Sequence, residues 1–130
     1  MLTGCTKFRD LPPTEKAGKI TSKVSSKLEL TGEQEAKLNS SILEMIELRK
    51  AHREQSKPQR ERLIEMLSES EINQTEIMDM YETKKADIDQ SLPKALQIIA
   101  DFHKTLNDEQ KQTLVKLIAK HRRHWEKNNL

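Results

Sequence analysis

Two histidines one helical turn apart, His121 and His124, are the residues whose spacing comes nearest to metal chemistry in this 130-residue chain. At i and i+3 on a helix their imidazoles share a face, and imidazole suits zinc, nickel or copper. A zinc site needs three or four nitrogen, sulfur or carboxylate donors, so the pair is half a site, and His103 is near it only in sequence terms. The expectation is therefore no metal and no cofactor, with His121 bordering an apolar stripe beside Trp125 and His124 in solvent. Catalytic groups are not assembled either: there is no glycine-rich phosphate loop, no nucleophile elbow and no Cys–His pair, and the carboxylates are spread as on solvated helices. The chain does not read as an enzyme.

Charge is the second candidate chemistry. Between Arg49 and Arg62 stand Arg49, Lys50, Arg53, Lys57, Arg60 and Arg62 against two glutamates, a local charge of +4. A parallel stripe, Lys16, Lys19, Lys23 and Lys27, runs one residue out of phase with the apolar positions of the first helix. The whole chain carries only +2, too balanced for a nucleic-acid binder. Cys5 is the sole cysteine, and Leu2-Thr3-Gly4-Cys5 has the form of a lipobox, the phrase after which a bacterial lipoprotein is cleaved and lipidated. The charged and apolar regions expected before such a site do not precede it here. No stretch approaches the ~20 apolar residues that span a membrane, so the membrane enters only through a lipid anchor or a membrane partner protein.

These residues need helices to position them. Hydrophobic and charged residues are each 34% of the chain, aromatics 3%, with three glycines and four prolines, a balance that favours helices with a thin core. Helix starts are marked twice by one phrase, Leu30-Thr31-Gly32-Glu33-Gln34 and Leu106-Asn107-Asp108-Glu109-Gln110. The Thr31 or Asn107 side chain can accept from the N–H three residues on while Gln34 or Gln110 reaches back, a capping box. Leu30 and Leu106 precede the boxes but face Glu35 and Lys111 instead of apolar staple partners. A third box is expected at Asn73-Gln74-Thr75-Glu76, after a turn from Ser68.

Residues 1–13 read as a tether, since Pro12 and Pro13 oppose a helix there. Thr14 is expected to cap a first helix to about Leu28, with Ala17, Ile20, Val24 and Leu28 inward. The second helix carries Leu38, Ile42, Met45 and Ile46 inward, then Leu63, Ile64, Met66 and Leu67 beyond the basic passage. The third turns Ile77, Tyr81, Ile88, Leu92, Ala95, Ile99 and Phe102 inward; the fourth, Leu114, Leu117, Ile118, His121 and Trp125. Pro58 and Pro93 predict a kink or break in the second and third helices. Of Met78 and Met80, one is expected to face the core and the other the surface. Residues 14–130 form one all-helical domain on this reading.

The paired boxes, with Lys27-Leu28-Glu29-Leu30-Thr31 before one and Phe102-His103-Lys104-Thr105-Leu106 before the other, resemble the LTXXQ family of bacterial periplasmic proteins. That family includes Spy and CpxP and, more distantly, the metal-responsive ZraP and CnrX proteins. Asn107 departs from the threonine of the motif. The resemblance implies an all-α fold of four helices in an open, extended, hairpin-like arrangement, two long and two shorter, and a cradle-shaped antiparallel homodimer. It implies a periplasmic chaperone that holds unfolded or misfolded envelope proteins without ATP. The six basic residues of the 49–62 passage are then the client-binding candidates, and Leu30, Thr31, Gln34, Leu106, Asn107 and Gln110 are architectural. The alternative is a periplasmic regulatory or sensor module, CpxP-like or CnrX/ZraP-like, for which a lipidated Cys5 would serve equally.

Overall fold

The computed structural model describes residues 7–129. A 3-10 turn, Phe8–Asp10, leads into four helices: α1 (Pro13–Leu28), α2 (Gly32–Met66), α3 (Gln74–His103) and α4 (Asp108–Asn129). No strand occurs among the described residues, and the all-helical class is as expected. The lipobox and its Cys5 lie outside the described residues. By contacts the chain divides into two compact units, Met1–Leu43 with Ile99–Leu130, and Glu44–Ile98.

In the first unit α1 packs on α4. Ala17, Thr21 and Leu28 are the buried residues of α1, and Leu38 and Leu106 complete the apolar centre. Thr21 Oγ1 donates to Asn39 Oδ1 at 3.2 Å and Ser25 Oγ to Glu35 Oε2 at 2.9 Å, tying α1 to the start of α2. α1 ends on Glu29, whose φ of 52° is left-handed, a position that glycine usually fills. The Leu30 N–H reaches back to the Ser25 carbonyl at 3.2 Å, the long bond of a Schellman ending, and holds that conformation.

The second unit has less to bury. Met66, 1% exposed, is its one fully buried large side chain among the described residues, and Ser56 is buried within the basic passage. α2 closes with shorter i to i+3 bonds, Leu67 N–H to Ile64 and Ser68 N–H to Glu65. Asn73 Oδ1 then accepts from the Glu76 N–H at 3.0 Å and starts α3.

Several expectations need correction. Pro13 is the first residue of α1, not the end of a tether, because a proline there gives up an N–H that would have no helical partner. Pro12 therefore holds the cap position expected for Thr14, and its carbonyl accepts from Glu15 and Lys16, both at 3.0 Å. The third capping box is half made: the Glu76 carboxylate turns to Arg62 instead of returning to Asn73. Of the kink or break expected at Pro58 and Pro93, the break does not occur: both helices run unbroken through them. Each proline is exposed, and so are Glu54 and Asp89, whose carbonyls lose an N–H partner and can take water instead.

The largest difference is in α3, which has no buried residue. Tyr81, Ile88, Leu92 and Ile99, expected inward, are each 44–55% exposed, as are Ile118 and Trp125 on α4 at 58–59%. Leu63 and Ile64 at the end of α2 and Leu67 just after it are exposed as well. Periodicity marks the apolar side of a helix, but a helix with few neighbours covers only a line along that side. Met78 is exposed and Met80 half-buried, the split expected for that pair.

Since Met66 is the main packed side chain of the second unit, Met66→Ala should lower the unfolding free energy in urea by about 2–5 kcal/mol. A loss below about 0.5 kcal/mol, the range of surface substitutions, would show that this side chain is not packed.

Candidate functional site

The motif residues come together in the first unit. Thr31 Oγ1 accepts from the Gln34 N–H at 3.2 Å, and Gln34 Oε1 accepts from the Thr31 N–H at 3.0 Å. Asn107 and Gln110 repeat the pattern at 2.8 and 3.0 Å. The two glutamines then bond each other: Gln34 Nε2 donates to Gln110 Oε1 and Gln110 Nε2 to Gln34 Oε1, both at 2.9 Å. Their remaining amide hydrogens go to the Thr105 carbonyl at 2.7 Å and, more weakly, the Leu28 carbonyl at 3.5 Å. Each amide thus makes two donor and two acceptor bonds, its full capacity. Leu106 is buried and Leu30 half-buried beside this node. Gln110 is only 7% exposed, and the hydrogen-bonding capacity of both glutamine amides is used within the protein.

The basic passage occupies α2 in the second unit. Arg49, Lys50, Arg53, Lys57 and Arg60 are exposed. Lys57 stands 4.0 Å from Glu61, and Arg60 donates to the Arg53 carbonyl at 3.4 Å. Arg62 is different: it reaches Glu76 with two bonds, at 2.7 and 3.0 Å, Glu69 at 2.6 Å and Glu65 at 3.3 Å. The guanidinium fork matches the Glu76 carboxylate as a backbone N–H cannot. Hydrogen bonding from Arg62 holds the Glu76 carboxyl below the usual carboxylate range, its charge adding to the effect and burial opposing it. Glu76 and Glu69 raise Arg62 further in turn.

A polar seam between α2 and α3 was not anticipated from sequence. His52 Nδ1 lies 3.4 Å from Asp87 Oδ2, and Lys84 Nζ lies 2.5 Å from His52 Nε2 and donates to Ser56 Oγ at 3.1 Å. Ser56 Oγ donates to the His52 carbonyl at 2.9 Å. The signal was present as two pairs, His52 with Ser56 one turn on and Lys84 with Asp87, each on one helical face, in a region dominated by its net charge.

On α4, His121 and His124 are both exposed, and His124 Nε2 meets Asn128 Nδ2 at 3.0 Å. His103, at the end of α3, is exposed too. Among the described residues no three His, Cys, Asp or Glu side chains group as metal ligands, and no helix is long and apolar enough to cross a membrane.

Two caps with one spacing are thus joined through their glutamines, and the LTXXQ motif family model matches residues 17–118. The chain belongs to the LTXXQ motif family. This is the family of Spy/CpxP-like periplasmic proteins. Neither the curated proteins nor the solved structures give a match. In this member Asn107 takes the place of the motif threonine and makes the shorter cap bond of the two, at 2.8 against 3.2 Å.

The depressed Glu76 carboxyl sets a pH dependence. Its folded-state value lies below that of the unfolded chain, so its contribution is complete above the unfolded value of about 4.3 and is lost as pH falls through the folded one. Glu76→Gln should therefore be less stable than the parent at neutral pH, and the difference in urea midpoint should close as the solution is taken below about pH 4. A gap that stays constant or widens on acidification would contradict the ion pair.

Proposed function

We propose that this protein works in the periplasm as an ATP-independent chaperone that holds unfolded or misfolded envelope proteins, and that it does so as a homodimer. The observation that carries this reading is the uncovered apolar surface of the second unit. Met78, Tyr81, Leu92 and Leu96 on α3 are each more than half exposed, and Ile64 on α2 and Leu67 just after it are 69% and 75% exposed. Monomeric soluble proteins seldom leave large apolar patches open unless something binds there.

Exposed cations accompany that surface. Arg49, Lys50 and Arg53 give α2 a positive field that raises the encounter rate with acidic chains, while apolar burial supplies the contact. Met78 and Met80 add side chains that adapt to unlike partners. Membership of the family supports both the compartment and the role. A lipid on Cys5 would tether the protein at a membrane, and a second copy would cover part of the apolar face.

At a stoichiometric dose the purified protein should slow the light scattering of an unrelated aggregating protein. Leu92→Ser with Leu96→Ser should remove most of that effect. Replacing Arg49, Lys50 and Arg53 by serine should slow capture at low salt and matter little at high salt. No slowing at that dose, with one membrane protein bound in equal amount instead, would make the chain a regulator.

A further inference from the structure

Within the second unit an open groove of about 310 Å³ runs between α2 and α3, walled by Leu63, Ile77, Met80 and Tyr81. Two cations, Arg60 and Lys84, stand on it. Neither has a carboxylate partner among the described residues: Arg60 donates to a backbone carbonyl, and Lys84 meets the His52 imidazole and the Ser56 hydroxyl. The acids nearby are engaged elsewhere, Asp87 with His52, Glu61 with Lys57, and Glu65, Glu69 and Glu76 with Arg62. The groove thus joins an apolar wall to positive charge that lacks a counter-ion.

We propose that this groove binds a single-chain aliphatic anion, its tail along Leu63, Ile77, Met80 and Tyr81 and its head group at Arg60 and Lys84. Charge complementarity selects the head, since each cation keeps N–H donors for charge-assisted bonds to an oxyanion. Size and polarity select the tail. Ligand pockets run from about 300 to 1,000 Å³, so this groove is at the small end and suits one chain. A peptide would bring an N–H and a C=O with every residue. Apart from the two cations, the walls offer them only the Gln59 amide and the Tyr81 hydroxyl, because the Ser56 hydroxyl is already used twice. Ser56 and His52 hold the Lys84 ammonium in place, so its charge is set at the groove before a ligand arrives.

The test titrates the whole chain with decanoate, decyl phosphate, decanol and decyltrimethylammonium below their micelle concentrations, by calorimetry and by the methyl NMR signals of Ile77 and Met80. Both anions should bind once per chain and shift those methyls, with the alcohol and the cation at least about tenfold weaker. Tighter carboxylate would identify a free fatty acid as the natural source and tighter phosphate a lysolipid head, and each supports the site. Arg60→Met, at an exposed position, should weaken the anions about tenfold with the unfolding midpoint in urea little changed, and Lys84→Met should weaken them likewise. Equal binding of the cationic compound, heat without methyl shifts, or anion affinity unchanged in Arg60→Met would overturn the proposal. So would an acidic, leucine-rich peptide that outcompetes both anions on these methyls.

Discussion

The reciprocal bond between the Gln34 and Gln110 amides is the constraint on which the first unit depends. Each glutamine already closes its own capping box, so the pair joins two helix starts that are 76 residues apart in sequence. Through the Leu28 and Thr105 carbonyls the same amides also finish the chain just before each box. A part-buried amide that meets its full hydrogen-bonding capacity costs little to bury, whereas one robbed of its partner is expensive. That asymmetry makes the node specific as well as stabilising, since separating the two glutamines leaves both amides with unmet bonds.

The second unit is held by different means. Arg62 gathers three glutamates around the turn between α2 and α3, the His52, Ser56, Lys84 and Asp87 seam joins the two helices further along, and Met66 supplies the packed apolar contact. Polar and ionic contacts carry the pairing, so the apolar residues of α3 are left uncovered. This division gives the protein both a defined fold and open surface, where a chain that buried all its leucines would have none to offer. The cations of the 49–62 passage divide likewise: Arg62 is spent on the fold, while Arg49, Lys50 and Arg53 face solvent.

Much of the fold was legible because its signals are local. A cap and its glutamine are three residues apart, and both capping boxes form where the sequence puts them. Leu38, Ala17 and Leu28 are buried as their spacing indicates. Long-range choices were not legible. Nothing in either box says that its glutamine will meet the other, and nothing around Asn73 shows that Glu76 will prefer a guanidinium 14 residues away. The apolar stripe of α3 was legible as a stripe, but its exposure depends on what packs against it. Pro13 misled, since it starts a helix; Pro58 and Pro93 left a kink or a break open, and each sits in an unbroken helix at a place where the missing N–H is tolerated. The polar seam was hidden because His52 and Ser56 lie within a run whose dominant feature is net charge.

The central claim, that the two motif glutamines act as one structural unit, is tested most directly by a double-mutant cycle on unfolding free energy with Gln34→Ala, Gln110→Ala and the pair. Each single substitution should cost about 1–3 kcal/mol, because it leaves the other amide with unmet bonds. The double variant should cost clearly less than the sum, with a coupling of about 1 kcal/mol or more. Strictly additive losses would mean that the glutamines serve only their own helix starts, and would contradict the account.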